Sequence, residues 1–130
     1  MKKKTTKRQF KLFIDECNKW IAYFGLSEWE ISYQLGGVDK GNVAECYTTY
    51  TGKTVVLKLV DGVDPKEFAF TDDEIKSSAF HEVCELLLAP FNMNAKGRFV
   101  NEVDIDTSRH EAIQRLANTL YRDRKKIGMG

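Results

Sequence analysis

Between Gln9 and Phe24, apolar side chains fall at Phe10, Phe13, Ile14, Cys17, Ile21 and Phe24. Intervals of three, four and seven place them on one helical face, and the spacing predicts a helix that ends at Gly25. The period then changes to two. Trp29, Ile31, Tyr33 and Leu35 alternate with Glu30, Ser32 and Gln34, the pattern of a half-buried strand. Gly36-Gly37 interrupts it. A second strand, rich in Val, Tyr and Thr, is predicted from about Asn42 to Tyr50. After a turn at Thr51-Gly52-Lys53, the run TVVLKLV gives a third. Connections this short predict an antiparallel meander.

DGVDP at 61–65 ends the sheet. TDDE at 71–74 has the form of a capping box, with Thr71 at the N-cap and Glu74 three residues on. The helix it opens carries Ile75, Ala79, Val83, Leu86 and Leu87, and is predicted to stop near Ala89 because Pro90 follows. Residues 90–106 hold Pro, Gly and three Asn with no clear period, which reads as a long loop of the kind that often borders functional sites. Asp106 or Thr107 then caps a last helix with Ile113, Leu116, Ala117 and Leu120 on one stripe. The expected fold is α+β: an N-terminal helix, a three-stranded, mainly antiparallel sheet, a helix, a long loop and a C-terminal helix.

At 130 residues the chain is expected to form one domain, spanning 9–126, after a basic and flexible start at 1–8. Hydrophobic residues make up 42% and charged residues 30%, ordinary for a globular protein. The net charge of +1 argues against a general polyanion binder, although six of the first eleven residues are Lys or Arg and Arg122, Arg124, Lys125 and Lys126 cluster near the end. Nucleic acid is therefore a partner the composition allows but does not favour. Cys17, Cys46 and Cys84 are odd in number and widely spaced, which suits a reducing cytoplasm better than a disulfide framework. The charged start MKKKTTKR resembles that of a signal peptide, but Lys11, Asp15, Glu16 and Lys19 interrupt any apolar region after it, and no membrane partner is expected.

The candidate chemistry lies in AFHEVCELLLAPF, residues 79–91, which reads His81-Glu82-x-x-Glu85. On a helix, residues i and i+4 lie one above the other, so His81 and Glu85 can offer an imidazole nitrogen and a carboxylate oxygen to one ion. Glu82 sits about 100° around, close enough to touch a water on the metal without binding the metal itself. Zinc accepts a carboxylate oxygen at about the distance of an imidazole nitrogen, so Glu85 is a legitimate second ligand. A second carboxylate also makes manganese or another hard divalent ion a competitor. Catalytic zinc sites need a third protein ligand. His110 is three residues before Ile113 and seven before Ala117, in phase with the buried stripe and expected to face inward. Glu111 is the rival third ligand, but its phase matches Gln114, Arg115 and Asn118, which look exposed. Cys84, three residues after His81, is a further candidate ligand that reads more readily as a buried apolar residue.

Taken whole, the chain resembles a family of small phage- and prophage-encoded zinc peptidase-like proteins. The resemblance rests on FGLSEWEISYQL, the VVLKL strand, HEVCELLLAPF and RHEAIQRLANTL, and covers nearly everything after residue 9. It implies a minimal zincin, with the edge strand of a small sheet beside the active-site helix. By resemblance His81 takes the first-ligand position, Glu82 the general-base position and Glu85 the second-ligand position, with His110 or Glu111 where the third ligand belongs. Glu85 stands where the family usually has His.

Two functions follow as expectations. The first is a zinc metallopeptidase, in which water activated at the metal, with Glu82 as general base, hydrolyses a peptide bond of a protein or peptide substrate. Tyr33, Tyr47, Tyr50 or Tyr121 would support the oxyanion. The alternative is a catalytically inactive module that keeps the zincin fold to bind a phage or host protein, or nucleic acid. Either would act in the cytoplasm, that of a bacterial host if the chain is phage-encoded.

Overall fold

The computed structural model of the protein describes residues 2–49, 52–96 and 101–130. The fold is α+β, with a small mixed sheet packed against helices. Helix α1 (Lys7–Phe24) starts at a capping box: Thr6 Oγ1 accepts from the Gln9 N–H at 3.1 Å, and Gln9 Oε1 accepts from the Thr6 N–H at 2.8 Å. It ends at Gly25, whose φ of 69° is the left-handed conformation a helix C-terminus requires and glycine adopts at little cost. Part of the basic start pairs with the chain after the three-stranded sheet. Lys3–Lys4 (β1) pairs antiparallel with Gly62–Val63 (β5), and the Thr5 side chain donates to the Val60 carbonyl.

Three strands form the main sheet: β2 (Glu30–Leu35), β3 (Ala44–Thr49) and β4 (Thr54–Leu59). Their order is β2-β4-β3, with β2 parallel to β4 and β3 antiparallel to it. This corrects the expected antiparallel meander. The 36–43 connection is longer than a tight hairpin and carries the chain past the place where β4 inserts. Composition explains which strand takes the centre. Val55, Leu57 and Leu59 of β4 are buried, whereas β3 carries Glu45, Tyr47, Thr48 and Thr49 and serves as an edge. Tyr50 and Thr51, assigned to the second strand and its turn, lie outside the described residues.

Helix α2 (Asp72–Leu87) opens at Thr71, whose hydroxyl accepts from the Glu74 N–H at 3.2 Å. Glu74 reaches back one residue further than in a standard box and accepts from the Phe70 N–H at 3.0 Å. Ile75, Ala79, Val83 and Leu86 are buried as the stripe predicts, and Phe80 joins them. Trp20 of α1 meets the Phe80 ring edge-on at 4.7 Å between centroids, and Tyr121 closes a three-ring cluster at 4.8 Å from Phe80 and 5.9 Å from Trp20. Together with β4, these side chains form the core between α1, α2 and the sheet.

The expected loop at 90–106 is largely helical, a second correction. Helix α3 (Ala89–Lys96) begins directly after the Leu88 cap of α2, with Pro90 in its first turn. There the missing N–H of proline costs nothing, so it starts a new helix as readily as it ends the old one. Residues 97–100 lie outside the described residues. Helix α4 (Glu102–Leu116) is capped by Asn101, whose side chain accepts from the Val103 N–H at 2.8 Å, and not by Asp106 or Thr107. It packs against α3 and α2 and is anchored by buried Ile105 and Ile113. A π-helical turn (Ala117–Tyr121) and a short 3₁₀ helix (Arg124–Ile127) follow.

Candidate metal centre

An open cleft of about 600 Å³ lies between the β3 edge, one face of α2 and the middle of α4. Ala44, Glu45, Cys46 and Tyr47 form one wall, Ser77, Ser78, His81, Glu82 and Glu85 the floor, and Arg109 with His110 the opposite rim. His81 and Glu85 are one turn apart on α2, with His81 Nε2 3.9 Å from Glu85 Oε1. His110 comes from the third turn of α4, because that helix begins earlier than its sequence signal suggested. Its ring stacks near that of His81, with 5.9 Å between centroids and 28° between planes. One ligand atom from each of His81, Glu85 and His110 lies within 4.8 Å of the other two, a group that could hold a metal ion.

The donor set suits such an ion. Two imidazoles and one carboxylate are the ligands of one type of catalytic zinc site, which leaves a fourth position open. Ligands about 2.0–2.1 Å from a tetrahedral zinc stand ~3.4 Å apart, so donors within 4.8 Å of one another must close by up to about 1.5 Å, within the reach of side-chain rotation. Glu85 Oε1 is buried and accepts no hydrogen bond among the described residues, an acceptor that a cation would satisfy. Burial holds the His81 pKa below its ordinary value, with Glu85 pulling the other way and His110 and Arg109 adding to the decrease. The imidazole is therefore biased toward the neutral form that binds metals.

Glu82 projects from the same floor and is 8% exposed. Burial, followed by the nearby carboxylates Glu85 and Glu45, pushes its pKa up to about 8. Glu45 shapes the upper wall. Its carboxylate accepts from Asn42 Nδ2 at 2.9 Å and from the Asp39 N–H at 2.8 Å, contacts that hold its pKa below the usual range.

The other sequence candidates separate clearly. Glu111 points away and pairs with Arg115 at 2.7 Å. Cys84 is fully buried in the core, where burial pushes its thiol up to about 12. His110, expected to face inward, is exposed at the cleft rim and meets His81 there. Of the tyrosines, Tyr47 lines the cleft, Tyr33 donates to Asn18 on α1, and Tyr121 packs on Phe80 and Trp20. Tyr50 lies outside the described residues.

Arg109 is the site residue that the motif did not reveal. Its side chain is only 14% exposed, with Nε 3.3 Å from Glu85 Oε1 and Nη1 3.3 Å from Asp106 Oδ1. The available signal was Asp106-x-x-Arg109, an acid–base pair at i, i+3. The partner across the cleft could not be read from one helix. The chain matches no family model, no curated protein and no solved structure.

Proposed function

We propose that the protein is a zinc-dependent peptidase-like hydrolase of minimal zincin type, with His81, Glu85 and His110 as ligands and Glu82 as general base. The observation that carries this reading is the convergence of the three donors with a buried, high-pKa carboxylate in one cleft beside a sheet edge. A divalent ion held by the trio would supply Lewis acidity, polarising a carbonyl and making water a better nucleophile at neutral pH. Glu82 would take the proton from the attacking water as its oxygen bonds to the scissile carbon. It would return that proton to the amide nitrogen as the C–N bond breaks. A carboxyl whose pKa lies near neutrality suits both halves of that transfer. Ala44–Tyr47 of the outer strand line the cleft, so a peptide substrate would add as a further strand and lay its backbone across the floor. Tyr47, which lines the cleft, would be the tyrosine to support an oxyanion.

One observation favours the second reading, a non-catalytic binding module. Arg109 already neutralises part of the Glu85 charge, as a residue retained for structure would. Nucleic acid is less well supported, because Arg8 and Arg122 are engaged with Asp72 and Asp123. Among the described residues no helix is long and apolar enough to cross a membrane. Metal analysis of protein purified without chelator, combined with peptide cleavage by wild type and Glu82→Gln, separates the readings. Stoichiometric metal in both, with cleavage lost only in the variant, supports the hydrolase. Metal in both with no cleavage by wild type leaves the binding module, and absence of metal removes the ligand assignments of His81, Glu85 and His110.

A further inference from the structure

Glu85 Oε1 faces two claimants. It is 3.9 Å from His81 Nε2, on the side where a metal would sit, and 3.3 Å from Arg109 Nε. Neither Glu85 Oε1 nor Arg109 Nε completes a hydrogen bond among the described residues, so their attraction is one of charge without a directional bond. Such a contact holds the carboxylate but leaves its lone pair poorly used. Both side chains are largely shielded, at 19% and 14% exposed, so solvent screens a second cation only weakly.

We propose that Arg109 is an internal competitor for the metal, binding Glu85 when the ion is absent and releasing it when the ion enters. This inference rests on the metal reading above and adds a control on it. A divalent ion bonded to Glu85 Oε1 stands within a few ångströms of the guanidinium, and the two repel. Asp106, one turn earlier on α4 and already 3.3 Å from Nη1, offers Arg109 a place to remain. The exchange makes the site weaker and more readily emptied than the same three ligands without a cation behind them. The protein would then be loaded only where the free ion is plentiful.

The test is the zinc affinity of the full chain, measured by competition with a chromophoric chelator, with thermal unfolding with and without zinc as a second readout. Arg109→Gln should bind zinc at least roughly tenfold more tightly than wild type and show the larger zinc-induced rise in Tm. Arg109→Lys keeps the charge and should stay closer to wild type than to the Gln variant. Should Arg109→Gln fail to fold, Asp106→Asn/Arg109→Gln also neutralises the second carboxylate that Arg109 contacts and should likewise exceed wild-type affinity. Equal or weaker binding by the neutral variants overturns the competitor role; loss of about 10–100-fold would instead mark a residue that orients the ligand. Zinc binding by Arg109→Gln but not by wild type supports the proposal strongly. If neither binds, the metal reading falls with it, whereas binding by wild type alone defeats only the competitor role.

Discussion

A carboxyl group gains a proton at neutral pH only when its surroundings make the charged form costly. Glu82 is such a group, 8% exposed and with a pKa pushed from 4.5 to about 8 by burial and by Glu85 and Glu45. The folded pKa lies above the unfolded one, so folding favours the protonated form. Stability is therefore full below about pH 4.5, declines as pH rises from there to about 8, and then levels off. In protein kept metal-free by a chelator, Glu82→Gln should match wild type near pH 4.5 and be more stable near pH 8, by an amount on the order of a few kcal/mol. Parallel urea-unfolding profiles for the two proteins would sink this account of the site. Cys84 invites a different residue-scale prediction, because a thiol pushed up to about 12 in a fully buried position is packing and not a ligand. Cys84→Ala should leave zinc affinity unchanged while costing about 1 kcal/mol of stability, and a loss of binding would restore it as a ligand.

The elements differ in how well their residues announce them. Where apolar spacing is local the reading held. The period between Phe10 and Phe24 gave α1, the alternation from Trp29 gave β2, and the Ile75–Leu86 stripe gave α2. His81 and Glu85 were legible for the same reason, since i and i+4 always share a helical face. Sheet order was not local: β2 and β4 lie side by side across 18 intervening residues, 36–53, and only burial of Val55, Leu57 and Leu59 in the middle strand hints at it. Pro90 marks a boundary without saying on which side the helix lies, because proline stops one helix and starts the next with equal ease, and Asn101 is hidden as a cap because no clear apolar period follows it. The His110 meeting with His81 and the Arg109 contact with Glu85 depend on how α4 crosses α2, which no single-helix pattern contains. The caps themselves can be tested. Thr71→Ala removes the hydroxyl that accepts from the Glu74 N–H at the start of α2 and should destabilise the fold by about 1 kcal/mol. A change in zinc affinity greater than severalfold would show instead that the start of α2 controls the ligands about three and four turns on.

Across the whole molecule, the candidate site joins two parts of unequal attachment. Helix α2 belongs to the core, locked against α1 through Trp20 and Phe80 and packed on the sheet at β3, with Val83 and Leu86 buried. Helix α4 carries a largely polar surface and is held by Ile105 and Ile113 and by the aromatic contact of Tyr121 beyond its end. His81 and Glu85 thus sit on the firm part, and His110 sits on the part with fewer buried apolar anchors. An ion bound by all three donors is a cross-link between them. It binds the folded state and not the unfolded chain, so zinc at about 100 times its Kd should add ~2.7 kcal/mol of stability. The gain should be local as well as global. Hydrogen exchange of amides in Glu102–Leu116 should slow on zinc addition more than that of amides in Lys7–Phe24, because α4 is the element that the third ligand ties down. His110→Ala should abolish this selective protection and most of the rise in Tm, while leaving the metal-free fold near wild-type stability because the side chain is exposed. Ile113→Ala makes the complementary case. Its cavity should cost about 2–5 kcal/mol in the metal-free protein and, by loosening α4, lower zinc affinity too. Phe13→Ala, an equally buried truncation in α1, should cost a similar amount and leave zinc affinity intact. Uniform slowing of exchange across both helices would mean that the ion stabilises a single rigid body, and the division between a firm α2 and a tethered α4 would be wrong.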